Sequence, residues 1–388
     1  MKITGLDIHV VAPMGTDEFL PNARLGWVFV EIHTDEGVTG IGECSNWPAH
    51  GDVLVAHTLE VIKHDLIGRD PAHIERIWQE VFHRQTYLGN RGLITTALSG
   101  IDQALWDIRG KVLDRPLHDL LGGPVWDDVL LYTHPWGATT EEIVASCKQV
   151  VAEGYTAVKH DPFLAEMGPR LMDYRGGQIT RRGIRDGADL TAAMRDAVGQ
   201  DVELLIDAHG NFNVATALEC MRALEPYDIG WFEEPVPPEG LDALRQIRRQ
   251  TTMPLCVGER LFTRWDFLPV LSEGLTNYVM PDVCWTGGVS ELKKIATLAE
   301  TFFVPISPHG AQGPVQIIAG GHVMMTVPNF HRLEVNSGWF EFFNAAITPA
   351  LDIRDGRLHL PPGPGLGIEL NHDFIADHPD PDWTGSRR

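Results

Sequence analysis

Residues 202–259, VELLIDAHGNFNVATALECMRALEPYDIGWFEEPVPPEGLDALRQIRRQTTMPLCVGE, contain three short apolar runs that each stop on polar residues: VELLIDAH, GWFEEP and PLCVGE. Short apolar runs bounded by polar and turn residues read as buried strands, and the longer stretches between them as helices. The same alternation extends outward in both directions from about residue 127, with DVLLYTH and TAVKHD before it and YVMPDV, VPISPH and HRLEV after it. The eight runs end near residues 134, 160, 208, 233, 259, 282, 309 and 334, and six of the seven intervals lie between 23 and 27 residues. That length suits one strand, one helix and two short loops. The long interval holds a Gly- and Arg-rich string, RLMDYRGGQITRRG (170–183). It reads as an extended loop after the second strand, an insertion over 163–186 able to reach the strand ends. Eight such repeats predict an α/β fold, a TIM-like (β/α)7β barrel.

Residues 1–122 have a different texture. ITGLDIHVV and GWVFVEIHTDEGVTGIGEC read as strands, with Asp35-Glu36-Gly37 as the hairpin turn. Leu98, Ile101, Leu105 and Ile108 then recur at helical spacing. Strands followed by helices suggest an α+β unit. The expected division is an α+β capping domain at 1–122, a catalytic barrel at 123–345, and a segment at 346–388 that packs back on the cap.

The net charge of −22, from 31 Lys and Arg against 53 Asp and Glu, argues against a nucleic-acid partner. Five widely spaced cysteines with no CxxC pair fit a reducing compartment. No signal peptide is evident in MKITGLDIHVV, and no apolar run approaches the ~20 residues of a membrane helix. A cytoplasmic homo-oligomer acting on a small molecule is the expectation, with no membrane partner.

In such barrels the active site lies at the C-terminal ends of the strands. Here those ends carry Lys159 and Asp161, Asp207 and His209, Glu233, Glu259, Asp282, His309 and Glu334. Asp207, Glu233 and Glu259 are each 26 residues apart and fall on adjacent strands. Three converging carboxylates repel one another unless a cation joins them, and a hard ion such as Mg²⁺ suits oxygen ligands. Asp282 and His309 end adjacent strands, so the carboxylate can hold the imidazole in one tautomer. His209 lies two residues after Asp207, on the same face if the strand continues. Strands three and seven are opposite, so His209 and His309 should face one another across a substrate. Lys159 can neutralise charge on a substrate oxygen, and a protonated Glu334 can hydrogen-bond one.

The strings LLIDAHGNF, WFEEPVPPE, VGER, MPDVCWTGGVSE and ISPHGAQGP, with SGIDQALWDIRGK and PGLGIEL, resemble the enolase superfamily, mandelate racemase subgroup. The resemblance implies that Asp207, Glu233 and Glu259 bind Mg²⁺. It also implies that His309, backed by Asp282, removes the proton α to a carboxylate, and that Glu334 helps hold the enediolate. Racemases of the subgroup generally carry K-x-K, whereas Lys159-His160-Asp161 lacks the second lysine. Asp207-x-His209 instead resembles the D-galactonate-dehydratase-like acid-sugar dehydratases, which eliminate the 3-hydroxyl as water with that histidine as general acid. Asp161 departs from the neutral residue of those enzymes and joins Arg24, Trp47 and His50 as an expected substrate contact; Asn22 and the stretch 84–91 are further candidates. The rival expectation within the superfamily is a racemase or epimerase of a 2-hydroxy acid. A glycosidase using paired carboxylates, or an inert sugar-acid binder, are more distant ones.

Overall fold

The computed structural model describes residues 1–13, 15, 26–46, 51–167 and 176–385. The chain opens with an antiparallel sheet of β1 (Ile3–Val11), β2 (Trp27–Thr34) and β3 (Thr39–Glu43). The predicted turn closes β2 onto β3, with Gly37 at φ +78°. The sheet packs on the helix Leu93–Leu113, whose Leu98, Ile101, Leu105 and Ile108 are all buried. Gly40 and Gly42 allow that approach, because a Cβ on either would sit 2.1 Å from a carbonyl oxygen of the helix.

Parallel strands follow: β4 (Val129–Tyr132), β5 (Ala157–His160), β6 (Glu203–Asp207), β7 (Ile229–Glu233), β8 (Leu255–Val257), β9 (Tyr278–Val279) and β10 (Leu333–Glu334). β5 to β9 form one continuous parallel sheet, and β10 pairs in parallel with β4. Single bridges join the rest: Thr133 to Val158, Val279 to Ile306 and Ile306 to Phe330. The seventh run, VPISPH, is not a regular strand. Pro305 and Pro308 have no N–H to give a ladder, so only isolated bridges remain at Ile306 and His309. Side-chain alternation divides the strands between two environments. Tyr132, Ala157, Leu205, Trp231, Cys256 and Met280 form their own buried cluster, while their strand neighbours pack outward into the main core.

The tail adds β11 (Ile347–Thr348), β12 (Asp352–Arg354), β13 (Arg357–His359) and β14 (Glu369–Leu370). β13 pairs with β4, so the tail packs on the parallel unit as well as on the first sheet. It reaches the first sheet where the Asp380 N–H donates to Val10 (3.0 Å) and the Ala12 N–H donates to His378 (3.0 Å). Among the described residues no helix is long and apolar enough to cross a membrane. All five cysteines are buried free thiols.

Candidate metal centre and its flanking histidines

Asp207 and Glu233 close β6 and β7 and are register partners. Glu259 is not in register with them, since Glu233 pairs with Cys256. The chain instead crosses Met280 at Gly258, where φ is +144° and a Cβ would lie 2.9 Å from the Met280 nitrogen. Glu259 is carried into the site by that crossing. The three residues are buried, and one carboxylate oxygen from each lies within 4.8 Å of the others.

Lys159, on β5, sits beneath the cluster with its ammonium 2.8 Å from Glu233, 2.7 Å from Glu334 and 3.3 Å from Asp207. Burial opposes its charge, but Glu233 and Glu334 hold its pKa well above the lysine range. Burial and the charge of Asp207 push the Glu233 carboxyl well above the carboxylate range. Asp207 goes the other way: burial opposes ionisation, but His209 and Lys159 hold it low. Glu334 is likewise held well below its usual value, against burial, by Lys159, His309 and His134. That direction favours a carboxylate that accepts hydrogen bonds, as Glu334 does from the Gly310 N–H at 3.1 Å. Three buried carboxylates share one ammonium with Glu259 close by, and Glu233 carries the cost of their repulsion. A hard divalent cation relieves it, and an all-oxygen donor set suits Mg²⁺.

Two imidazole–carboxylate pairs flank the triad. His309 Nδ1 is 2.6 Å from Asp282 Oδ2, and its Nε2 is 3.4 Å from Glu259. His209 Nδ1 is 3.0 Å from Asp161 Oδ2, and its Nε2 is 3.5 Å from Asp207. Each ring thus presents Nε2 to one end of the triad. Burial opposes protonation of both. The charges of Glu334, Glu259 and Asp282 nevertheless raise His309 to about 9, and Asp207 and Asp161 raise His209 to about 9.

His209 does not get its direction from strand alternation. β6 ends at Asp207, and His209 stands in a left-handed turn (φ +47°), its N–H donating to Asp207 Oδ1 at 2.8 Å. A left-handed conformation outside glycine is costly and is kept where the surroundings impose it. Asp161, read from the sequence as a substrate contact, has both oxygens bonded within the protein. Oδ2 meets His209, and Oδ1 accepts the Phe163 N–H at 2.8 Å. Asn22, Arg24, Trp47 and His50 lie outside the described residues, as does 168–175 of the insertion. In the 84–91 stretch, Arg91 bonds Asp266 on the other unit at 2.6 Å, and Tyr87 and Leu88 are exposed.

Three residues of the site went unread in the sequence. His134, where the first run ends, lies 2.7 Å from Glu334; its position was the available signal. Gln316 donates to Asp282 Oδ2 at 2.7 Å, and Glu43, at the end of β3, accepts the backbone N–H groups of Gly313 (2.6 Å) and Gln316 (2.9 Å). Burial raises Glu43 to about 7. These two join elements 273 residues apart, and no local pattern announces that.

Residues 21–122 match the family model of the mandelate racemase / muconate lactonizing enzyme N-terminal domain, and residues 142–374 match that of the enolase C-terminal domain-like family. D-Gluconate dehydratase of Thermoproteus tenax is 35% identical over 90% of this chain and 69% of its own. D-Galactonate dehydratase of Pectobacterium atrosepticum is 33% identical over 99% of this chain and 96% of its own. Among solved structures, a member of the enolase superfamily from Salmonella Typhimurium superposes with a TM-score of 0.89 at 30% identity, covering 97% of this chain and 98% of the other. A mandelate racemase/muconate lactonizing enzyme-like protein from Rubrobacter xylanophilus gives 0.88 at 33% identity, covering 98% of each. With both family models matched in order and dehydratases aligned along nearly its whole length, the chain belongs to the mandelate racemase subgroup of the enolase superfamily and is a hydro-lyase.

Proposed function

We propose that the chain is a Mg²⁺-dependent acid-sugar dehydratase, converting an aldonate such as galactonate or gluconate, or an aldarate, into its 2-keto-3-deoxy acid. In this reading residues 123–345 form a TIM-like (β/α)7β barrel, residues 1–122 cap its mouth, and residues 346–388 complete the cap. The observation that carries it is the pair of histidines, each with a buried aspartate on Nδ1 and its Nε2 aimed at the carboxylate triad. The dehydratase names of the relatives supply the substrate class.

Asp207, Glu233 and Glu259 would hold the cation. Mg²⁺ bound there supplies Lewis-acid charge that offsets the negative charge building on the substrate carboxylate and competes with protonation of the histidines. His309 Nε2 takes the proton from C2, and Asp282 on Nδ1 steadies the imidazolium that forms. Lys159 faces the developing enediolate with its ammonium, and Glu334 fixes Lys159 and His134 beside it. The C2 electron pair forms the C2=C3 bond as the C3–O bond breaks. His209 Nε2 delivers its proton to the departing hydroxyl, which leaves as water, and the enol tautomerises to the ketone. Asp161 holds His209 in the orientation and charge state for that donation.

The matched histidine pairs also favour a second reading, an epimerase using both as bases. One experiment separates the two: incubation with a library of aldonic and aldaric acids in D₂O, with Mg²⁺ and after EDTA. The dehydratase reading expects a 2-keto-3-deoxy product that EDTA abolishes. Deuterium at C2 without net dehydration would instead support the epimerase, and full turnover in EDTA would end the metal reading.

A further inference from the structure

The first two strands contain LDIHV (6–10) and VEIHT (30–34). Residues two apart in a strand share a face, so Asp7, His9, Glu31 and His33 place four ligand-type side chains on one face of the β1–β2 ladder. Asp7 is opposite Glu31 in the register, and the side chains pair diagonally. His9 Nε2 lies 2.7 Å from Glu31 Oε2, and His33 Nε2 lies 2.9 Å from Asp7 Oδ2. A third imidazole comes from the other end of the chain. His372 opens the helix His372–Asp377, and its Nε2 is 3.5 Å from Glu31 Oε1. Its ring stands edge-on to His9 with centroids 5.8 Å apart. One ligand atom from each of His9, Glu31 and His372 lies within 4.8 Å of the other two.

The donor set separates this cluster from the catalytic triad. Two imidazole nitrogens and one carboxylate oxygen suit a borderline cation such as Zn²⁺ or Co²⁺, whereas Mg²⁺ takes oxygen ligands. Around such an ion, metal–ligand bonds of about 2.0–2.2 Å set ligand atoms roughly 3.4 Å apart in a tetrahedron. The His372–Glu31 separation already meets that, and the His9–Glu31 pair has to open by less than an ångström. Glu31 is buried, and its ion-pair partners among the described residues are His9 and His372. His372 is exposed, with 62% of its side chain accessible, so water can take the fourth position.

We propose that His9, Glu31 and His372 form a second metal site, selective for a zinc-type divalent cation, that ties the C-terminal helix to the first sheet. The site is independent of the catalytic reading. Its test is a Zn²⁺ titration by calorimetry of chelator-stripped protein near neutral pH, with excess Mg²⁺ present, and a parallel Co²⁺ titration followed by visible absorption. The expected result is one saturable Zn²⁺ equivalent and a Co²⁺ band from a nitrogen–oxygen site. His372→Ala loses both while keeping full Mg²⁺-supported turnover. Asp207→Asn, which breaks the catalytic triad, keeps the Zn²⁺ equivalent. No saturable Zn²⁺ binding beside Mg²⁺ would overturn the proposal. So would binding that survives in His372→Ala or disappears in Asp207→Asn, since either places the ion elsewhere. Should His372→Ala fold poorly, His9→Gln serves as the second ligand variant, read the same way.

Discussion

At the scale of single residues, the proposed chemistry separates the two histidines by function although their surroundings match. His309→Asn should abolish both exchange of the C2 proton with solvent and dehydration. His209→Asn should keep exchange and lose dehydration, because only the leaving group lacks its proton. Asp161→Asn should resemble a weaker His209 variant, with turnover down by roughly 10- to 100-fold and exchange kept, a size typical of losing a group that orients a catalytic one. Proton NMR in D₂O with substrate and Mg²⁺ reads exchange and product together; equal loss of exchange in both histidine variants would refute the division. The sequence made the candidates visible because acids and histidines stood where apolar runs stop. It did not reveal what Asp161 touches. That pairing depends on a left-handed turn at His209, and a strand pattern carries no information about the residue that follows the strand's end.

At the scale of elements, two buried side chains brace the framework that carries the site, one from the far ends of its strands and one beside it. Arg195, near the end of the helix Arg181–Val198, donates to the carbonyls of Gly199, Val202, Tyr227 and Asp228. Those carbonyls lie on the approaches to β6 and β7, which end in Asp207 and Glu233. Arg195→Met leaves several buried acceptors without donors and should destabilise the fold by about 2–4 kcal/mol, measured by urea unfolding. Gln316 joins the helix Pro314–Met324 to Asp282. Gln316→Leu should lower turnover about tenfold and slow C2 exchange in parallel, with KM nearly unchanged, because Asp282 loses a donor that orients it toward His309. If KM rose while exchange held, Gln316 would belong to substrate binding. The regular repeat made most of the strands legible in advance. The seventh was overread, since the apolar run around Ile306 matched a strand while its prolines removed the ladder. The Glu43–Gln316 link was invisible because it depends on how the first sheet docks on the parallel unit.

At the scale of the whole molecule, three distant parts of the chain meet at a pair of neutral imidazoles. His322 Nε2 lies 3.2 Å from the carbonyl of Leu366 in the tail, and its Nδ1 lies 3.0 Å from Nδ1 of His118. With Nε2–H donating to Leu366, His322 Nδ1 must accept from His118, so a proton there would break the contact. Burial, reinforced by the neighbouring His118, lowers His322 from 6.5 to about 3, and burial lowers His118 as well. The sign follows from linkage. The unfolded chain binds a proton at His322 near 6.5, while the folded chain resists it until about 3. Stability from this site is therefore complete above pH 6.5 and is lost as pH falls toward 3. A shift of that size is worth roughly 4–5 kcal/mol at full expression. His209 and His309, whose pKa values are raised, act with the opposite sign, so the raw acid profile mixes the contributions. The difference between wild type and His322→Gln isolates this one. The substituted glutamine can keep an amide hydrogen bond and cannot titrate, so the variant should lose less of its melting temperature than wild type on acidification through that window. Parallel curves for the two proteins would show that the buried pair does not resist protonation, and that the junction of the short helix Leu117–Leu120, the helix Pro314–Met324 and the tail is not acid-sensitive at His322.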